Sequence, residues 1–314
     1  MKKILVSIVN YCDPEFYNTV KNLWDSALNK DFLIFSLVSE DQNFYNFNFI
    51  PKDQIIYKHF DINVYRGGVA WARNLAINVD FQYDYLIQFD SHTYSSLGWD
   101  VNALNTYNKI NDNKFLISYC PANYEINDDG SIDYNIHPTI SMMAKRYDLF
   151  APGFGFPEYH MLKDQEISEG YWVTCCYLFA PYEWVKDVGI DEKSSFNTEE
   201  FNLSLRTYSK SWKIFGFGCR DTFHHMSHKQ PSGLITRQSL RPWADGRRDE
   251  YWSHVETQTN FTSRLMSGLE DVPIEKVKEF FDLTGMDKKY MNLNENYYSY
   301  IEIENRGYGM PPRR

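Results

Sequence analysis

The sequence has few features of a secreted, membrane-spanning or repetitive protein. It holds five cysteines, an odd number, with no C-x-x-C spacing, and the adjacent pair Cys175 and Cys176 is poorly arranged for a structural disulfide. The apolar run after Met1-Lys-Lys is only Ile-Leu-Val-Ser-Ile-Val, too short for a signal peptide or a membrane span. Heptads, internal repeats and long low-complexity tracts are also absent. We therefore expect a cytoplasmic protein with reduced cysteines and no membrane span.

Basic residues are outnumbered by acidic ones, 32 to 42, which gives a net charge of −10. This charge does not steer a protein to nucleic acid, so nucleic acid is a disfavoured partner, although a local basic patch keeps it open. A protein this acidic also needs a cation to hold a diphosphate. With 314 residues, 43% of them hydrophobic, the chain can bury a sizeable core as one large domain or a domain plus an appendage. Aromatic residues make up 17%, which favours stacking pockets for sugars or bases, or equally core filling.

Apolar runs alternate with helical patterns along the chain. Residues 3–10 predict a buried strand, Asp13-Pro14-Glu15 starts a helix that reaches about Asn29, and residues 32–38 predict a second strand. Strand, helix and strand joined by short links form a βαβ unit, which indicates an α/β fold with a parallel, doubly wound sheet. Residues 43–64 are less regular. Further strands are predicted over 85–90, 115–120, 172–180 and 213–217, and further helices end at Ile77 or cover 99–110 and 199–208.

The strand Tyr85–Asp90 ends in Asp90-Ser91-His92. Side chains two residues apart on an extended chain point the same way, so Asp90 and His92 can converge at the carboxyl edge of the sheet. Open α/β sheets hold their ligands at that edge. A carboxylate and an imidazole aimed at one point indicate a divalent metal bound through oxygen and nitrogen. The alternative is an ordinary polar strand end.

The second half of the chain is less regular. Residues 121–170 are rich in Gly and Pro without periodicity, which predicts a long excursion over one side of the site. Residues 227–254 form a basic loop, either a lid that closes over phosphate or a solvated surface loop. We divide the chain into a catalytic domain over 1–226, with a donor half (about 1–120) and an acceptor half (about 121–226), this loop, and a helical C-terminal extension and tail over 255–314.

Five motifs follow one another in an order typical of one enzyme family. They are Val6 to Glu15, Arg66 to Arg73, Gln88 to His92 with Gly98-Trp99-Asp100, Thr198-Glu199-Glu200 with Arg206, and Cys219 to His224. Through them the chain resembles the polypeptide α-N-acetylglucosaminyltransferases, which attach GlcNAc to hydroxyproline or Ser/Thr of proteins. More distantly it resembles the catalytic domain of mucin-type polypeptide GalNAc-transferases. The motifs span roughly residues 4–226.

The resemblance implies a GT-A fold, with a mainly parallel mixed sheet flanked by helices. It also implies a UDP-GlcNAc or UDP-GalNAc donor, Mn²⁺ with Mg²⁺ as an alternative, and retention of the anomeric configuration. The acceptor would be a hydroxyl, on protein or glycan. One departure is Cys176-Tyr177, which stands where the family has a small Gly pair at the floor of the sugar pocket. Bulk there would change which sugar fits.

Site residues are carried over motif by motif. The metal ligands implied are Asp90, His92 and His224, with His225 as the fallback for the third ligand. Glu199 matches the acidic residue near sugar or acceptor, with Glu200 beside it. The residues expected to bind the nucleotide sugar are Asn10, Tyr11, Asp13, Ser39, Gln42, Arg66, Arg73 and Ser91.

Several roles have alternatives. Tyr11 would stack on the uracil while Asp13 or Gln42 reads its polar edge, but Asp13 is equally a helix cap. Arg73 would pair with Asp90 or reach a phosphate. Retention follows either from double displacement, with Glu199 or Glu200 as nucleophile, or from same-face attack with Glu199 orienting sugar or acceptor, which we favour.

Two other functions compete with transfer to protein. One is transfer from a UDP-sugar to a glycan or a modified DNA base. The other is a catalytically silent nucleotide-sugar-binding module, against which the intact set of candidate metal ligands and Glu199 argues.

Overall fold

The computed structural model of the protein describes residues 2–65, 67–127, 129, 131–134, 140–143, 158–194, 198–225, 269 and 271–284. The first strands along the chain are β1 (Ile4–Tyr11), β2 (Leu33–Asp41), β3 (Ile55–Asp61), β4 (Tyr85–Asp90), β5 (Thr93–Ser95) and β6 (Phe115–Ser118). Then follow β7 (Ala122–Asn123), β8 (Glu125–Ile126), β9 (Ile132–Asp133), β10 (Ile140–Met143), β11 (Glu158–Met161), β12 (Ile167–Gly170), β13 (Tyr177–Pro181), β14 (Lys213–Phe217) and β15 (Thr222–His224). The helices are α1 (Phe16–Ser26), α2 (Val69–Ile77), α3 (Trp99–Lys109), α4 (Tyr182–Asp187), α5 (Thr198–Ser209) and α6 (Ile274–Thr284).

A central sheet of eight strands organises these elements, in the order β12-β14-β6-β13-β4-β1-β2-β3. The block β4-β1-β2-β3 is parallel throughout, and β14 is parallel to β6. Strand β13 lies antiparallel between β4 and β6, and β12 is an antiparallel edge. The sheet is therefore mixed and mainly parallel.

Helices cover both faces of the sheet, and for this reason its central strands are almost continuously apolar. Alternate residues of β1 face opposite sides: Ile4, Val6 and Ile8 pack with the buried face of α1, while Leu5 lies in the core of the other face. Val9, near the end of β1, packs with α2. The predicted α/β architecture is confirmed.

Helix α6 lies within the predicted C-terminal extension and packs on α5. Phe201 and Leu205 of α5 share a buried cluster with Phe280 and Phe281 of α6. The predicted basic loop, residues 227–254, lies outside the described residues, as do most residues of the extension. Among the helices in the described ranges, none is both long and apolar enough to cross a membrane.

Some local predictions were wrong. The region 43–64 contains strand β3, which has no clear apolar pattern because it is an edge strand whose residues are half-buried or exposed. Helix α1 begins at Phe16 with Glu15 as its N-cap, after Pro14, whereas the prediction placed Pro14 in the first turn. The strand predicted from residue 172 begins only at Tyr177. In each case the tertiary neighbours decide the boundary, while the local pattern is ambiguous.

We predict that Phe179→Ala lowers the free energy of unfolding by about 3–5 kcal/mol, because it opens a cavity in the centre of the sheet. The Phe179 side chain is fully buried and stacks on Tyr85 at a centroid distance of 5.1 Å. Urea denaturation measures the change. The matched control is Phe44→Ala, since Phe44 is 70% exposed, and its cost should stay below about 1 kcal/mol. Equal costs for the two variants would contradict this placement of the core.

Candidate active site

Two sheets meet at the end of β4 and bring His224 to Asp90. Strand β15 pairs with β5, which places His224 opposite Thr93, just after the Asp90-Ser91-His92 turn. The result is a distance of 3.1 Å between His224 Nε2 and Asp90 Oδ2, across 134 residues of sequence. The neighbouring His225 takes a different place: its ring stacks on Tyr124, and its backbone N–H donates to the His92 carbonyl. The geometry thus brings His224, and not His225, to Asp90.

The second imidazole, that of His92, is oriented by Asp13. His92 Nδ1 lies 2.8 Å from Asp13 Oδ2, and its Nε2 lies 3.8 Å from Asp90 Oδ2. The two imidazole rings are 4.5 Å apart between centroids. A carboxylate on one ring nitrogen, with the other nitrogen facing a common point, is the usual arrangement of a metal-binding histidine.

The start of α1 holds this turn in place. Asp13 Oδ2 also accepts a hydrogen bond from Ser91 Oγ (3.0 Å), while Asp13 Oδ1 accepts the Glu15 N–H (2.9 Å). Thr19 Oγ1 donates to the Ser91 carbonyl and accepts the Thr93 N–H. Asp13 therefore serves both the helix start and His92. That it reads a base edge stays a prediction.

Arg73 joins two carboxylates beneath the metal-ligand candidates. Its guanidinium donates to Asp90 Oδ1 at 2.8 Å and to Glu199 Oε1, and its side chain is almost fully buried. Burial alone would raise the pKa of Asp90, but the His224 hydrogen bond and the charges of Arg73 and His92 hold that pKa well below its usual range. Asp90 therefore remains a carboxylate at all physiological pH values.

The two adjacent glutamates at the start of α5 differ in environment. Glu200 Oε1 accepts the Cys175 N–H at 2.8 Å. Glu199 is buried and uses one oxygen for Arg73, while its Oε2 has no hydrogen-bond partner among the described residues. Burial raises the pKa of Glu199 to about 7, against the lowering effect of Arg73. A buried, unengaged carboxylate oxygen next to the metal-ligand candidates is suited to a polar group of a ligand.

Cys176 is a donor that the sequence did not single out for metal binding. Because Tyr177 pairs with Phe89, the preceding residue Cys176 comes beside Asp90. The ligand atoms of Cys176, Asp90 and His224 all lie within 4.8 Å of one another. A hydrogen bond with Cys120 and burial raise the pKa of the Cys176 thiol. Although burial opposes it, proximity to Cys176 and Asp90 raises the pKa of His224 to about 10.

The residues expected at the nucleotide lie at the ends of β1 and β2. Asn10 and Ser39 are buried and joined by a 2.8 Å hydrogen bond. Asn10 also donates to Asp41 and accepts the Asp13 N–H. Tyr11 is half-buried and Gln42 is exposed. Asn10 and Ser39 thus shape the floor of this edge, whereas Tyr11 and Gln42 are more accessible.

The loop before α2 is tied to β2. The buried carboxylate of Glu40 accepts the N–H groups of Gly67 (2.6 Å) and Gly68 (3.4 Å). A Cβ at Gly67 would lie 2.0 Å from the Trp71 ring, so this close approach requires glycine. Arg66, expected to bind the donor, lies outside the described residues.

Comparison with known families identifies the chain. Residues 39–310 match the sequence profile of the family described as Glycosyltransferase (GlcNAc). The chain belongs to this glycosyltransferase family. A comparison with curated proteins finds no significant match.

Solved structures support the fold of this glycosyltransferase. It superposes on GalNAc-T7, crystallised with UDP, GalNAc and Mn²⁺, with a TM-score of 0.52 and 14% identity, over 100% of this chain and 60% of that one. It superposes on TarS residues 1–349 from S. aureus with a TM-score of 0.50 and 10% identity, over 97% and 90%. The UDP complex of TarS gives 0.50 and 12%, over 96% and 90%. At such identities the likeness shows the fold, and the predicted GT-A fold is confirmed. The chain spans about three fifths of GalNAc-T7.

We predict that Glu199→Gln changes how the stability of this glycosyltransferase depends on pH. The folded protein keeps a proton on Glu199 up to about pH 7, whereas the unfolded chain releases it near pH 4.5. Wild-type stability therefore falls as the pH rises through this window, and the glutamine variant lacks that loss. Between pH 4.5 and about pH 7, the free energy of unfolding of the variant should rise relative to that of wild type by on the order of 1–3 kcal/mol.

Urea denaturation of the metal-free protein at both ends of the window measures this shift. Glu275→Gln, on the exposed side of α6, controls for the loss of a surface carboxylate. Parallel curves for wild type and Glu199→Gln would contradict the raised pKa.

Proposed function

We propose that this protein is a metal-dependent, retaining glycosyltransferase that moves GlcNAc or a similar N-acetylhexosamine from a UDP-sugar to a hydroxyl group on a protein. The observation that carries the proposal is the convergence of Asp90, His92 and His224. The Nε2 atom of His224 lies 3.1 Å from Asp90 Oδ2, and that of His92 lies 3.8 Å from the same oxygen. The donor class is supported by UDP in the TarS and GalNAc-T7 crystals, and the metal by Mn²⁺ in the GalNAc-T7 crystal. The protein acceptor is supported by the order of the five motifs.

The residues present fit a divalent cation. When His92 is neutral and donates its Nδ1–H to Asp13, the lone pair on its Nε2 faces the Asp90 carboxylate. Two acceptors that face each other repel, and a cation between them removes the repulsion. Imidazole nitrogen beside a carboxylate suits Mn²⁺ better than Mg²⁺, which prefers oxygen and keeps its waters. When bound, the metal would act as a Lewis acid on the diphosphate leaving group.

The protein side chains position the reactants. Arg73 fixes the orientation of both Asp90 and Glu199, because one planar guanidinium donates to the two carboxylates. Glu200 is engaged with the Cys175 backbone, so Glu199 is the better candidate for contact with sugar or acceptor. We favour attack on the same face as the leaving group, in which the departing phosphate takes the acceptor proton. In that mechanism Glu199 orients a hydroxyl group through its free oxygen and forms no covalent bond.

A donor screen by thermal stability tests the proposal. At saturation, with a ligand concentration about 100-fold above Kd, the gain is about 2.7 kcal/mol, which corresponds to a rise in Tm of a few degrees. We expect this rise with UDP-GlcNAc or UDP-GalNAc plus Mn²⁺, and little with ADP-sugars or without metal. In Asp90→Asn, which preserves shape and removes the charge, the Mn²⁺-dependent part should disappear. An unchanged shift in Asp90→Asn would remove the proposed metal site.

A second test measures how much one histidine contributes to metal binding. We predict that His224→Ala weakens Mn²⁺-dependent UDP binding at least about tenfold, as expected for loss of a metal ligand. His160→Ala is the matched control, because His160 lies on β11, where its ring pairs with Glu166. Isothermal titration calorimetry with UDP and Mn²⁺ measures both. Equal affinities in the two variants would mean that the third ligand lies elsewhere.

A further inference from the structure

The thiol of Cys176 has no role in the proposed transfer reaction, yet it faces the centre of the site. The register of β13 places Cys176 opposite Asp90 of β4 on one side, since Tyr177 pairs with Phe89. On the other side it comes opposite Cys120, since Leu178 pairs with Ser118 of β6. Sheet pairing on both sides therefore holds this thiol against the carboxylate that anchors the proposed metal site.

The distances fit a compact metal site. The Cys176 sulfur, an Asp90 oxygen and a His224 nitrogen lie within 4.8 Å of one another. With metal–ligand bonds of about 2.0–2.3 Å, the donors of a tetrahedral site lie roughly 3.3–3.8 Å apart, so a modest contraction closes the site. His92 Nε2 lies 3.8 Å from Asp90 Oδ2, close enough to serve as a fourth donor.

We propose that Cys176 is a metal ligand, and that with Asp90 and His224 it forms a high-affinity site for a thiophilic divalent cation such as Zn²⁺. The inference rests on the proposed function insofar as the same position serves Mn²⁺ during transfer. Sulfur, nitrogen and carboxylate oxygen are the ligands that Zn²⁺ takes in proteins, whereas Mn²⁺ gains little from a thiolate. The order of metal affinities also favours Zn²⁺ over Mn²⁺ at a common site.

The binding step is a proton exchange. The metal–sulfur bond forms as the thiol proton leaves to solvent, and no oxidant or reductant takes part. With His92 as fourth ligand, the site becomes four-coordinate and closed, as structural zinc sites are. A closed site leaves no coordination position for the donor phosphates. Zn²⁺ therefore inhibits the enzyme by competition with Mn²⁺.

Cobalt spectroscopy on the full-length, reduced protein tests this assignment, since Co²⁺ replaces Zn²⁺ and its bond to a thiolate gives an intense near-ultraviolet charge-transfer band. We expect the band in wild type without any nucleotide sugar. It should be lost in Cys176→Ser and Cys176→Ala, and kept in the matched control Cys219→Ser, whose thiol hydrogen-bonds to Tyr119 at 3.0 Å. Zn²⁺ affinity, measured by competition with a chelating dye, should fall at least about tenfold in both Cys176 variants.

The outcomes separate this inference from the proposed function. Co²⁺ binding without the band overturns the thiolate ligand and leaves metal-dependent transfer standing. Loss of the band in Cys120→Ser but not in Cys176→Ser would make Cys120 the ligand, which also overturns the assignment of Cys176. The band without Mn²⁺-dependent binding of any UDP-sugar supports the thiolate ligand and removes the proposed function. No Co²⁺ binding in wild type without nucleotide sugar overturns the thiolate site, and Mn²⁺-dependent binding of UDP-sugars then decides the proposed function by itself.

Discussion

The buried ion pair between Arg73 and Asp90 is the interaction on which the rest of the site depends. Asp90 hydrogen-bonds to Arg73 and His224, a carboxylate oxygen of Asp90 lies within 4.8 Å of the Cys176 sulfur, and Asp90 faces His92. Such a charge is stable in the protein interior only when it is paired, and the guanidinium pairs it on the side away from the histidines. Asp90 Oδ2 is left facing the histidines. Arg73 also donates a hydrogen bond to Glu199 Oε1, so one guanidinium orients both carboxyl groups.

The sheet topology explains how distant residues reach this point. Strand β4 supplies Asp90 at its carboxyl end, and β13, antiparallel beside it, delivers Cys176 to the same end. The small sheet β5-β15-β7 folds the chain back so that His224 lies over the turn that follows β4. The parallel half of the central sheet thus carries the residues expected at the nucleotide. The antiparallel insertion and the small sheet bring the groups that complete the site.

Much of the fold followed from local patterns, and the exceptions have clear physical causes. Strands β1, β2 and β4 are buried on both faces, so their apolar runs identify them; β3 is a half-buried edge strand with residues such as Lys58 and His59, and its pattern is weak. The direction of β13 has no local signal either, because an apolar run reads the same whether its partners are parallel or antiparallel.

The candidate site divides along the same line. From sequence alone came the prediction that Asp90 and His92 converge, because they stand two apart at the end of a predicted strand, and motif order suggested His224. In the structure β4 ends at Asp90 and His92 lies in the turn that follows it. Only the tertiary structure decided that His224 contacts Asp90, that Arg73 joins Asp90 to Glu199, that Asp13 orients His92, and that Cys176 enters the same cluster. Each of these contacts joins residues that are far apart in the chain. Strand register and helix packing set such distances, and neither leaves a trace in the local order of residues.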